Sequence, residues 1–221
     1  MAMPDVSLRT NCEMKAIIKS FLFGFAIFNA TDAMCAGTMN IYSGANGDAI
    51  LIDSDEGKTL LVAGGAIPQG PATSSDCFAK ATLRLQNGPN FYVGSLDPVH
   101  NEVTDADANA VSGKRAGVYI YKSRIRIGNV EVNGICADGV DFSGDYKKIS
   151  ENSSKYASTF AYFMQMTDQN AMNVKKNGMP DDAKEELRPF IEANHSKLKL
   201  NIEDRKVVES VENDYKNMSN R

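Results

Sequence analysis

Three apolar segments crowd together between residues 38 and 63: TMNIYS (38–43), DAILID (48–53) and KTLLVA (58–63). Only 44–47 and 54–57 separate them, and Gly44, Gly47 and Gly57 mark the junctions. A parallel pair needs a crossover of a dozen or more residues, so strands this close pair antiparallel, through tight turns that glycine permits. The same habit continues downstream. CFAKATLRLQ (77–86) alternates, with Phe78, Lys80, Thr82 and Arg84 on one side and Ala79, Ala81, Leu83 and Leu85 on the other. NFYVGSL (90–96), AGVYIY (116–121), SRIRIG (123–128) and VEVNGIC (130–136) follow, the last two read as a hairpin turning at Gly128 or Asn129. About eight strands result, forming an antiparallel sheet or small barrel. A loop with two prolines and three glycines spans 63–76.

Near residue 145 the pattern changes to a helical one. GVDFSGDY (139–146) reads as the connector, because it lacks the GK[ST] ending of a phosphate loop. Tyr156, Phe160, Phe163, Met164 and Thr167 fall on one helical face and predict a core-facing stripe. Asn177–Gly178 breaks that helix. Pro180 followed by Asp181 and Asp182 starts the next one, because proline suits a first turn and acids complement the dipole there. Pro189 is expected to break or kink it. A last helix over 203–218 sets Val207, Val208, Val211, Tyr215 and Met218 on one face. The expected architecture is α+β: a β-rich domain over 37–145, with three to four helices of 146–221 packed on it.

Residues 14–37 read MKAIIKSFLFGFAIFNATDAMCAG. From Met14, Lys15 and Lys19 make a positive start, residues 21–28 an apolar core too short to span a bilayer, and Thr31 and Ala33 a small-residue cleavage motif. Residues 14–36 are therefore expected to be a signal peptide, and 1–13 a dispensable extension. The expected address is periplasmic or secreted, with no membrane anchor after cleavage. Of the four cysteines, Cys12 and Cys35 lie in or before this leader, which leaves Cys77 and Cys136 as a pair for an oxidising compartment. The formal net charge of −4 argues against a nucleic-acid partner.

Two constellations are candidates for chemistry. DPVHNEVTDADANA (97–110) gathers Asp97, Glu102, Asp105, Asp107 and Asn109, the oxygen ligands a divalent cation prefers. Ala110 and Ala116 stand where an EF-hand needs glycine and glutamate, so any such site is not an EF-hand. Ser95, His100 and Asp97 or Asp105 are also close in sequence, but no GxSxG elbow accompanies them. The second constellation is basic: Lys114, Arg115, Lys122, Arg124 and Arg126, the arginines alternating with Ile125 and Ile127 so that one strand face is cationic. It suits an anion or an acidic partner, or an edge strand guarded by charge. His195 reads as exposed or capping.

GDAILIDSDEGKTLLVAGG (47–65) resembles the opening hairpin of the metallo-β-lactamase fold. That resemblance implies an HxHxDH metal motif downstream. The chain holds only His100 and His195, too few imidazoles for a dinuclear zinc centre. Two function classes remain: a non-enzymatic binding or accessory protein with an unknown protein or envelope ligand, and a carboxylate-based hydrolase, with or without a divalent cation, using the 97–107 loop.

Overall fold

The computed structural model describes residues 38–54, 57–64, 77–86, 88–193 and 195–218. The expected leader, Cys12, Cys35 and most of the proline-containing loop lie outside them.

Among these described residues ten strands occur in chain order: β1 (Met39–Gly44), β2 (Gly47–Ser54), β3 (Gly57–Gly64), β4 (Cys77–Leu85), β5 (Phe91–Asp97), β6 (Val99–His100), β7 (Asp105–Ala106), β8 (Arg115–Ile120), β9 (Arg124–Val130) and β10 (Gly144–Lys148). Eight close into an antiparallel barrel in the order β1-β10-β9-β8-β5-β4-β3-β2. The remaining two, β6 and β7, form a small ribbon of their own, followed by the one-turn helix α1 (Ala108–Val111). The barrel closes where β10 pairs with β1, Tyr42 opposite Lys148.

An eight-stranded barrel is just wide enough for side chains to fill. Here the filling alternates large with small. Tyr42, Leu51, Leu60, Leu83, Val118, Ile125, Ile127 and Tyr146 are buried inside, beside Ala49, Ala79, Ala81 and Ala116. The Tyr146 hydroxyl donates to the Phe142 carbonyl at 2.8 Å, so the buried phenol carries no unpaired donor. Gly44 makes room for that ring: a Cβ there would stand 2.9 Å from it.

Two expectations fail locally. VEVNGIC is not a strand beyond Val130. Gly134 takes φ +74°, and the Ile135 and Cys136 N–H groups both donate to the Val132 carbonyl at 3.0 Å, so the chain turns over the barrel end. Conversely, the expected connector contains the start of β10, which carries the barrel past residue 145. Val132, Val140 and Phe142, all buried, cap the interior. The Cys77–Cys136 bond fastens this cap to β4, with Cα atoms 5.7 Å apart, in the ordinary disulfide range.

Three long helices follow: α2 (Ser154–Lys176), α3 (Pro180–Glu192) and α4 (Ile202–Met218). The Ser153 hydroxyl caps α2 by accepting from the Tyr156 N–H at 3.1 Å. Its expected stripe is buried throughout. Pro189 does not end α3, which continues to Glu192. The helices cover the outward side chains of the first four strands: Ile41, Ile50, Ile52, Leu61, Ala63 and Phe78 join Phe160, Phe163, Met164, Leu187, Phe190 and Val211 in a second core. Each fully buried side chain of this kind contributes about 1.5–3 kcal/mol. Among the described residues, no helix is long and apolar enough to cross a membrane.

Candidate functional site

The helix layer is one-sided. The outward positions of β8 and β9 remain exposed, among them Arg115, Tyr119, Arg124 and Arg126. Register makes this face a set of rows. Arg126 pairs with Tyr119 on β8 and with Asp145 on β10, and Tyr119 pairs with Phe91 on β5. Arg124 pairs with Lys147. The Phe91 and Tyr119 rings stack at 4.6 Å, and the Arg124 guanidinium lies 4.8 Å from the centroid of the Tyr121 ring. Phe91 also covers Gly117, whose missing side chain would meet that ring at 3.5 Å.

Of the five basic candidates, Arg124 and Arg126 share this surface, and Lys122 stands in the β8–β9 turn beside it. The other two lie at the far end of β8. Lys114 donates to the Asn133 carbonyl at 2.5 Å, and the Arg115 N–H donates to the Glu131 carboxylate at 2.9 Å. Arg84 and Lys147 belong to the same outer surface, on β4 and β10. Arg124 reaches Asp145 at 3.3 Å, but both side chains are 52% exposed, so water screens the pair.

The acidic loop is not one loop, and its oxygens do not converge. Asp107 caps α1, accepting from the Asn109 and Ala110 N–H groups at 2.9 and 2.8 Å. Asn109 lies within that turn of helix. Asp97 ends β5 and accepts from the Thr82 hydroxyl at 2.9 Å. Burial raises its pKa, Lys80 and the Thr82 bond lower it, and Glu186 adds to the rise. Asp105 meets His100 Nδ1 at 2.5 Å. The Glu102 N–H donates to the Gln169 side chain at 2.9 Å. Among the described residues, no group of three or more His, Cys, Asp or Glu side chains is placed to hold a metal ion. Ser95 faces outward between Thr82 and Arg115, on the opposite face of β5 from the buried Leu96.

What the β6–β7 ribbon does build is a hollow of about 410 Å³ against α2, lined by His100, Glu102, Asp105, Asp168 and Lys176 among others. Burial, with the nearby Asp214 adding to it, pushes Asp168 up to about 6. A carboxyl whose pKa is raised in this way suits acid–base work. Yet Asp168 Oδ1 is buried without a hydrogen-bond partner, and so is Asn101 Nδ2. The Asp168 side chain as a whole nonetheless lines the hollow.

A second hollow, of about 450 Å³, lies between β1, the end of β10 and the helices, with Tyr156, Phe160, Glu192 and His195 in its wall. His195 is not free to act on a ligand. Its Nε2 meets Glu212 at 2.7 Å, and its Nδ1 meets the Ala193 carbonyl at 2.9 Å. Only a fifth of its side chain is exposed, so it ties α4 to the end of α3 and is not a surface residue.

No protein-family model matches this chain, and no curated protein or solved structure matches it.

Proposed function

We propose that this chain is an exported, non-enzymatic binding or accessory protein that engages an anionic partner through the outer face of β5, β8, β9 and β10. One observation carries the reading. Among the described residues the helices sheathe only half of the barrel, and the other half presents arginines and lysines interleaved with exposed aromatic rings, in a chain whose formal net charge is −4. Arginine and aromatic side chains are the types enriched at binding surfaces. The leader pattern of residues 14–36 and the Cys77–Cys136 pairing support an oxidising address. Asp97, Asp105 and Asp107 are each engaged with a neighbour of their own, so the binding reading is preferred to the hydrolase.

The test is retention on immobilised dextran sulfate against neutral dextran, with rising salt. Wild-type protein is expected to bind the sulfated matrix and elute as salt screens the contact. The double variant Arg124→Glu/Arg126→Glu is expected to melt like wild type and to be lost from the matrix. Equal behaviour on both matrices sinks the proposal. The address is checked separately, by the intact mass of the protein recovered after cell fractionation.

A further inference from the structure

We infer that the uncovered face takes an acidic polysaccharide lying across β10, β9, β8 and β5; this rests on the reading just given and names the class of its ligand.

The register carries the argument. Crossing the sheet from β10, one row runs Lys147, Arg124 and then the Tyr121 ring. The next runs Asp145, Arg126, Tyr119 and Phe91. In both, cationic groups give way to aromatic rings within about one strand spacing, roughly 4.8 Å. A ligand that satisfies both rows carries negative charge and, close beside it, a flat apolar face. A simple anion or a polyphosphate supplies only the charge. A uronate polymer supplies both: carboxylates for the guanidinium groups, and pyranose C–H faces for the rings.

The exposure pattern agrees. Among the described residues five large hydrophobic side chains are notably exposed, and two of them are the tyrosines of this face: Tyr119 at 39% and Tyr121 at 37%. Clustered exposed rings have a binding role more often than isolated ones. Arg126, Lys122 and Lys147 make no ion pair with the described residues, so their charge is available.

A single-stranded nucleic acid would also value rings and cations. Three observations weigh against it. The chain is acidic overall. Phe91 and Tyr119 stack on each other, leaving no gap into which a base could insert. The disulfide belongs to compartments where surface glycans, not nucleic acids, are the abundant polyanions.

The experiment compares affinities for polygalacturonate, inorganic polyphosphate and an oligothymidylate at matched charge, by titration calorimetry. Wild-type protein is expected to bind polygalacturonate at least about tenfold tighter than polyphosphate, and Tyr121→Ala to remove about that factor for polygalacturonate alone. Tyr119→Leu, which keeps an apolar cover over Gly128, is expected to do the same. Equal or tighter binding of polyphosphate or the oligonucleotide, or tyrosine variants that bind polygalacturonate unchanged, overturns the polysaccharide while leaving an anion-binding face in place. Failure to bind any of the three polymers overturns both readings.

Discussion

Lys80 on β4 and Glu186 on α3 form an ion pair of 2.8 Å with less than a fifth of either side chain exposed. The pair does not stand alone. Asn170 on α2 donates to the other Glu186 oxygen at 2.6 Å and accepts from the His100 N–H at 2.8 Å. One polar chain therefore links the barrel, two helices and the β6–β7 ribbon, so the helix layer has a fixed seat where an apolar interface alone would let it slide. Glu186→Ala removes the acceptor of the Lys80 ammonium and of the Asn170 side-chain N–H, and is expected to cost about 2–4 kcal/mol in urea unfolding. The double variant Lys80→Met/Glu186→Leu is expected to regain most of it. A double variant no more stable than the single one would show that the pair does more than satisfy itself.

Gly94 admits no side chain. A Cβ there would lie 1.7 Å from the Thr82 carbonyl oxygen, a backbone atom that cannot step aside. Gly94→Ala is expected to lose at least about 3 kcal/mol or fail to fold, because the β4–β5 seam must open. Gly117→Ala, whose Cβ meets only the Phe91 ring at 3.5 Å, is expected to stay within about 1 kcal/mol of wild type. Similar losses for the two would show that strand glycine as such, rather than close approach, sets the cost.

Alternation along 77–86 places Ala79, Ala81 and Leu83 together, and they do share the barrel interior. The α2 stripe was legible for the same reason, since a period reports a buried face. β10 was not. Its five residues, GDYKK, bury only Tyr146, and a single inward ring has no period. Barrel closure depends on pairing Tyr42 with Lys148, a contact between distant segments that no local pattern announces. The cationic strand was visible in SRIRIG. Its aromatic partners were not, because Phe91 and Tyr119 reach Arg126 only through register. The acidic stretch misled for a physical reason: aspartates are favoured equally as turn and cap residues, and Asp107 is one.

The Cys77–Cys136 bond closes a loop with a sequence separation of 59 and holds the segment that caps the barrel. Replacing both cysteines with alanine is expected to cost about 2–4 kcal/mol, because the unfolded chain regains the freedom the bond removes. For a chain of this size the midpoint should fall by about 5–15 °C. Reductant should lower the wild-type midpoint similarly and leave the variant unmoved. A wild-type midpoint indifferent to reductant would mean that the sulfurs are not joined.

Asp168 makes the fold sensitive to mild acid, in the direction opposite to a salt-bridged carboxylate. Burial first, and Asp214 second, raise its pKa to about 6, above the usual value near 3.9. Between about pH 4 and pH 6 the folded chain therefore holds a proton that the unfolded chain has released. Stability contributed by this group is highest below that window, falls as pH rises through it, and stays at its lower value above pH 6. Asp168 is only partly buried, so solvent reduces the effect to about 1 kcal/mol. Asp168→Asn removes the charge, keeps the shape and relieves the repulsion from Asp214. It is expected to stabilise the protein by about that amount at pH 7, to match wild type near pH 4, and to flatten this part of the pH profile. Urea midpoints measured at both pH values decide the matter. An asparagine variant less stable than wild type at pH 7 would mean that the carboxylate makes a favourable contact there, and that the hollow beside His100 needs its charge.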